Sequence, residues 1–218
     1  MIEDLLSKLP GSSLDYGGSH GGKLYQDYPW APLDVLPAHR TSTAHRLAFI
    51  LSALPDGVNG KRVLDVGCAN GALTIGLAKA GADATGWDVN QGDLEIARWA
   101  TSQYEWPHFN VPRFGFGDIA VKDVTEPWNV ILYLSVWKWV VRQWGLKAAR
   151  NTLRTLAWHS GTLLFESGIT GTGIDLVDVK PEEIEPMLRE EFPDRRVELV
   201  GTFPRDEMNV DRPLWKIT

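Results

Sequence analysis

Two periods of apolar residues organise the chain. Leu47, Ile50, Leu51 and Leu54 recur at helical spacing and predict a helix over 43–54, stopped by Pro55-Asp56-Gly57. From Lys61 onward, short apolar runs alternate with helical patterns. Strands are predicted over 62–66, 82–87, 111–116, 129–134 and 161–166. Helices are predicted over 72–80, 91–102, 137–158 and 180–192, with a break in the long one near Gly145. Strands without polar alternation need cover on both faces, so helices are expected on either side of a parallel sheet. The last two strands, 196–200 and 214–217, have no helix between them and predict an antiparallel hairpin. The fold class is therefore α/β, a doubly wound, mostly parallel, seven-stranded sheet with that hairpin at its C-terminal edge.

Residues 11–43 are rich in Gly, Pro, Ser, Tyr and His and hold no sustained period. The chain thus divides into a lead-in over 1–42 and one domain over 43–218. Tyr25, Tyr28 and Trp30 in the lead-in either close over a ligand as a lid or strap the domain as hydrophobic anchors.

Composition adds exclusions. With 218 residues, 44% hydrophobic and 23% charged, the chain is globular, which removes disordered and fibrous classes. The single cysteine, Cys68, cannot form an intramolecular disulfide or a cysteine-based zinc site. The histidines His20, His39, His45, His108 and His159 lack ligand spacing, so no metal is expected. Glu3 and Asp4 stand where a secretion signal carries positive charge, and the apolar run over 130–136 is too short to span a bilayer. A cytoplasmic protein without a membrane anchor is expected. The net charge of −6 argues against coating nucleic acid nonspecifically. Between Pro127 and Phe165, however, there is no acid, while Lys138, Arg142, Lys147, Arg150 and Arg154 fall there, with Trp137, Trp139, Trp144 and Trp158 among them.

The segment Val63-Leu64-Asp65-Val66-Gly67-Cys68-Ala69-Asn70-Gly71 ends a strand and opens a helix. Ligands bind at the carboxyl ends of strands in open parallel sheets, where a glycine turn admits them to the backbone and to free helix N–H groups. The spacing is not that of the dinucleotide fingerprint G-x-G-x-x-G. Asp88 ends the second strand, suited to a ribose diol, and Asp118 follows the third. Three carboxylates, with no cation among them, suit a cationic nucleoside better than a pyrophosphate.

On these residues the chain resembles the class I S-adenosylmethionine-dependent methyltransferases, from about Thr43 onward. The resemblance implies a Rossmann-like fold and S-adenosyl-L-methionine as cofactor. It places Asp65, Gly67, Cys68, Ala69 and Gly71 around the methionine end, with Ala69 where the family has its middle glycine. It places Asp88 and Val89 on ribose, Asp118 and Ile119 at adenine, and Leu134 beside the cofactor. No Asp/Asn-Pro-Pro-Tyr tetrapeptide and no Pro-Cys nucleophile follows the fourth strand, which removes amino-group methylation of DNA bases or glutamine and cytosine-C5 methylation. There the run Leu134-Ser135-Val136-Trp137-Lys138-Trp139, then Trp144-Gly145, resembles the bicoid-interacting type of RNA 5′-phosphate methyltransferases.

Lys138 beside Trp137 suits an anionic, planar acceptor, by charge and by stacking. The substrate contacts expected are therefore Trp137, Lys138 and Tyr25, and the catalytic candidates are Lys138 and Glu166. Glu166 ends the fifth strand and serves either as a base or as a cap of the next loop. A small-molecule or nucleotide acceptor comes first. An RNA substrate, of 5′-phosphate or tRNA type, reached through Lys147, Arg150 and Arg154 comes second, and a noncatalytic cofactor-binding protein third.

Overall fold

The alternating pattern builds a sheet in sequence order with helices between its strands. A computed structural model describes residues 24–106, 110–119, 124–168, 179–203 and 212–218. Its strands are β1 (Leu24–Gln26), β2 (Ala38–Arg40), β3 (Arg62–Val66), β4 (Asp83–Asp88), β5 (Arg113–Phe116), β6 (Trp128–Leu134), β7 (Ser160–Glu166), β8 (Val197–Thr202) and β9 (Pro213–Ile217). The helices are α1 (Thr43–Ser52), α2 (Ala72–Lys79), α3 (Gln91–Ser102), α4 (Trp137–Trp158) and α5 (Ile184–Glu191).

Seven strands form one sheet in the order β5-β4-β3-β6-β7-β9-β8. The pairs β3–β4, β4–β5 and β6–β7 are parallel, while β9 runs antiparallel to both β7 and β8. The apolar strands are buried as their pattern requires: β3 over its last four residues, and β6 at every position but Asn129. Helix α3 starts on an Asn90 cap whose side chain accepts from Gly92 and Asp93 N–H. Element ends lie within about two residues of those predicted, the usual uncertainty of helix and strand termini, except that α5 starts at Ile184, four residues after 180, behind a single 3-10 turn over Pro181–Glu183.

The chain forms two compact units, 1–117 and 118–218. In the first, the lead-in contains structure that its composition did not announce. The short strands β1 and β2 pair in parallel. Between them Tyr28, Leu33 and Leu36 are buried against Ala72 and Ile75 of α2 and Ile96 and Ala100 of α3. Strands of three residues are too short to show a period, so only packing reveals them. In the second, α4 joins α5 through Glu191, whose side chain is 2% exposed and is paired with both Arg150 and Arg154.

The lead-in up to residue 23, His20, His108, Ile169 to Gly171 after β7, and the loop over 206–211 lie outside the described residues. Among the described residues no helix is long and apolar enough to cross a membrane, and no group of three or more His, Cys, Asp or Glu could hold a metal ion.

Candidate functional site

In the first unit the turn from Gly67 to Gly71 joins the carboxyl end of β3 to α2. Gly67 and Cys68 N–H both bond the Trp87 carbonyl at the end of β4, at 2.7 and 3.1 Å. Ala69 is left-handed, φ 49, a conformation that suits the glycine it replaces. Asp88 holds the turn in place: Oδ2 accepts Ala69 N–H at 2.8 Å and Oδ1 accepts Asn90 N–H at 2.8 Å. Val89 is 41% exposed.

Asp65 lies inside β3 and accepts the Thr74 hydroxyl at 2.7 Å. Burial raises its pKa to about 6, opposed by that bond and by the Arg46 guanidinium, and helped by Asp88. Burial also raises Asp88, against its backbone donors. Asp93, in the first turn of α3, rises to about 7 by burial and by the Asp88 charge. The buried Cys68 thiol is pushed up by desolvation and then by Asp65, Asp88 and Asp93. Three carboxylates therefore act on one turn, and a cation there would relieve them.

The raised Asp65 makes stability depend on pH. The unfolded chain loses this proton near 3.8 and the folded one near 6, so the folded state binds more protons in between and stability falls as pH rises through that window. The loss is about 3 kcal/mol for a shift of about two units, complete by pH 7. Relative to Asp65→Asn, which keeps an acceptor for Thr74, the wild type should lose that amount in urea titrations between pH 4 and 7. A constant difference between the two proteins across that range would refute the raised pKa.

Several residues of this region were not evident from the sequence. Asn70 donates its side-chain N–H to the Gln26 carbonyl at 2.8 Å, and its own carbonyl accepts the hydroxyl of the fully buried Tyr28. Strand β1 is thereby fastened to the glycine turn. Arg40 is the register partner of Gln26, and its guanidinium lies 5.0 Å above the Tyr25 ring. Tyr25, expected at the substrate, is half-buried beside Arg40. The available signal was a cation in β2 and another in α1 ahead of a turn holding only acids.

In the second unit Asp118 follows Gly117, whose N–H bonds the Asp88 carbonyl at 3.0 Å. Asp118 Oδ2 accepts the Trp144 indole N–H at 3.0 Å. Ile119 and Leu134 are buried, at 8% and 7% exposure. Beyond β6, Ser135 is left-handed, φ 63. Its N–H bonds the Glu166 carbonyl at 2.9 Å, and its hydroxyl donates to Glu166 Oε2. Oε1 of the buried Glu166 accepts Gly168 N–H at 2.7 Å. A Cβ at Gly168 would lie 3.0 Å from Lys138 Cδ, and Lys138 Nζ is 5.8 Å from the centre of the Trp139 ring. Lys138, Ser135 and Glu166 therefore form one group.

Trp137 does not join it as a stacking surface. Its ring is fully buried, edge-on to Phe165 at 6.2 Å, because the apolar head of α4 packs on β7. The basic stripe is likewise altered: Arg150 bonds Glu190 at 3.3 Å and Glu191 at 3.0 Å, and Arg154 pairs with Glu191.

Known proteins resemble the chain in sequence and in fold. The model of a methyltransferase domain family matches residues 38–197. Over 62 residues the chain is 47% identical to the ubiquinone biosynthesis O-methyltransferase of Vibrio vulnificus (strain YJ016), a match covering 28% of this chain and 26% of that one. The protein of that name from Proteus mirabilis (strain HI4320) is 45% identical over 62 residues, 28% of this chain and 24% of that one. The match thus spans about a quarter of these relatives' length. Among solved structures, the bifunctional kinase-methyltransferase WbdD superposes with a TM-score of 0.73 at 22% identity, covering 100% of this chain and 46% of that one. Magnesium protoporphyrin IX methyltransferase from Synechocystis PCC 6803, with bound SAM, superposes with a TM-score of 0.62 at 19% identity, covering 81% and 77%. At these identities the superpositions concern the fold.

Proposed function

Because the chain belongs to the methyltransferase domain family, we propose that it transfers a methyl group from S-adenosylmethionine to an oxygen of a small-molecule acceptor. The observation that carries this reading is the glycine turn with Asp65, Asp88 and Asp93 about it, whose pKa values burial raises, the Asp88 charge adding to the rise at Asp65 and Asp93 while Arg46 opposes that at Asp65. A sulfonium nucleoside is the cofactor chemistry that such a field favours. Asp65, Gly67, Cys68, Ala69 and Gly71 would line its amino-acid end, Asp88 with Val89 its ribose, and Asp118 with Ile119 its base. Arg40, the register partner of the Gln26 that Asn70 holds, supplies a cation for the amino-acid carboxylate.

The cofactor supplies an activated methyl group, so the protein's tasks are alignment and exclusion of water. Lys138 would hold an anionic group of the acceptor, and Glu166 would take the proton of its hydroxyl. The name of the Vibrio relative, an O-methyltransferase, supports oxygen as the acceptor atom. The pairing of Arg150 and Arg154 with acids of α5 weighs against an RNA substrate reached through those two side chains.

The test is calorimetric. S-adenosylhomocysteine should bind wild type, and Arg40→Leu should weaken it roughly tenfold, the worth of one charge-assisted contact. 5′-Methylthioadenosine, which lacks the amino acid, should bind both proteins alike. Transfer of labelled methyl to phenolic acids checks the acceptor. Absence of S-adenosylhomocysteine binding would overturn the proposal, and equal losses for both ligands would remove Arg40 from its role.

A further inference from the structure

Helix α2 leaves the glycine turn at Gly71 and ends on Lys79, and the segment from β1 to Trp30 is fastened at both ends of it. At the first end Asn70 holds the Gln26 carbonyl and accepts the Tyr28 hydroxyl. Midway, the Trp30 ring lies so close over Gly76 that a Cβ there would be 2.7 Å from Cη2. At the far end Lys79 Nζ lies 3.9 Å from the centre of the Tyr104 ring, 5.5 Å from that of Trp106 and 5.8 Å from that of Trp30. These rings are themselves braced. Tyr104 donates its hydroxyl to the Trp30 carbonyl at 3.2 Å and meets Trp106 edge-on at 6.0 Å, and the Trp106 indole donates to the Thr101 carbonyl of α3 at 2.8 Å.

The helix dipole alone favours a lysine in the last turn of a helix, which accounts for the charge but not for three rings meeting it. An ammonium over an aromatic face is attracted by the ring quadrupole, the more so as water is excluded. We propose that Lys79 is a positioning residue for the glycine turn: its ammonium, held by Tyr104, Trp106 and Trp30, latches the 24–40 strap closed along α2, and the cofactor binds only with the strap closed. The second clause rests on the reading above, in which this turn and Arg40 of the strap meet the amino-acid end of S-adenosylmethionine. Opening of the strap carries away Gln26, Tyr28 and Arg40 together, and the turn loses the carbonyl and the hydroxyl that hold Asn70. A ligand selective for the closed form adds its own binding to the latch.

Hydrogen exchange resolved to single amides measures opening of the strap, since Leu24 N–H bonds the Pro37 carbonyl at 2.9 Å and Asp27 N–H bonds the Arg40 carbonyl at 2.8 Å. In Lys79→Met, which keeps an unbranched stem and removes the charge, both amides should exchange about fivefold to tenfold faster than in wild type, while amides of β3 stay unchanged. Lys79→Arg, which returns a cation to the rings, should restore most of the protection. Saturating S-adenosylhomocysteine should slow both amides about tenfold or more in wild type.

Unchanged exchange at Leu24 and Asp27 in Lys79→Met overturns the latch. So does equal acceleration in the strap and in β3, which is loss of global stability, or an arginine variant no better protected than the methionine one. If S-adenosylhomocysteine binds without slowing the two amides, the link from latch to cofactor is overturned. If S-adenosylhomocysteine does not bind at all, the functional reading fails with that link, whereas exchange in the ligand-free proteins still decides the latch.

Discussion

Asp88→Ala is expected to weaken S-adenosylhomocysteine binding about 30-fold or more, the worth of one to two hydrogen bonds to a charged group. Two effects act together. In the proposed reading the carboxylate accepts a ribose diol, and it also bonds Ala69 and Asn90 N–H at 2.8 Å each. Without it, Ala69 loses the contact that holds its left-handed backbone, and the turn opens as the diol loses its partner. Asp88→Asn keeps one side-chain oxygen for the Ala69 N–H and should fall between wild type and alanine. Calorimetry of the three proteins orders them. An alanine variant within threefold of wild type would place the ribose elsewhere.

The second large effect is expected at Gly71, which caps α2 in the left-handed region with φ 76. A Cβ there would lie 2.7 Å from Ala97 Cβ and 2.7 Å from the Phe114 ring. Gly71→Val combines a β-branched residue at positive φ with overlap against two packed side chains. Together these cost about 3 kcal/mol or more, which for a protein of this size lowers the unfolding midpoint by roughly 10 °C. Gly57→Ala separates the two contributions. Its φ is 63, yet nothing lies within 4 Å of the added carbon, so it should cost only about 1 kcal/mol. Equal losses at the two positions would show that backbone conformation alone matters at Gly71.

The fold was legible because its strands are written in unbroken apolar runs and its helices in spaced ones. Helix α3 spans the predicted run over 91–102, and α4 breaks at its only internal glycine, Gly145. Strands β1 and β2 escaped because three residues each hold no period. The acids beside the turn were legible too, since Asp65 lies one residue before the end of β3 and Asp88 ends β4. Trp137 was misjudged as a stacking surface because a tryptophan at a helix start reads alike whether its ring faces a ligand or the core.

By itself the chain determined the order and type of its elements and the location of its glycine turn, because these depend on residues close together in sequence. Tertiary structure decided which distant groups face one another: Arg46 near Asp65, Asn70 with Tyr28, Trp144 with Asp118, and Glu191 between Arg150 and Arg154. Such meetings arise from the packing of whole helices and strands, and no local period encodes them. Side-chain charge and hydrogen-bonding capacity are fixed by the residue, but the partner that gives them a role is supplied by the fold.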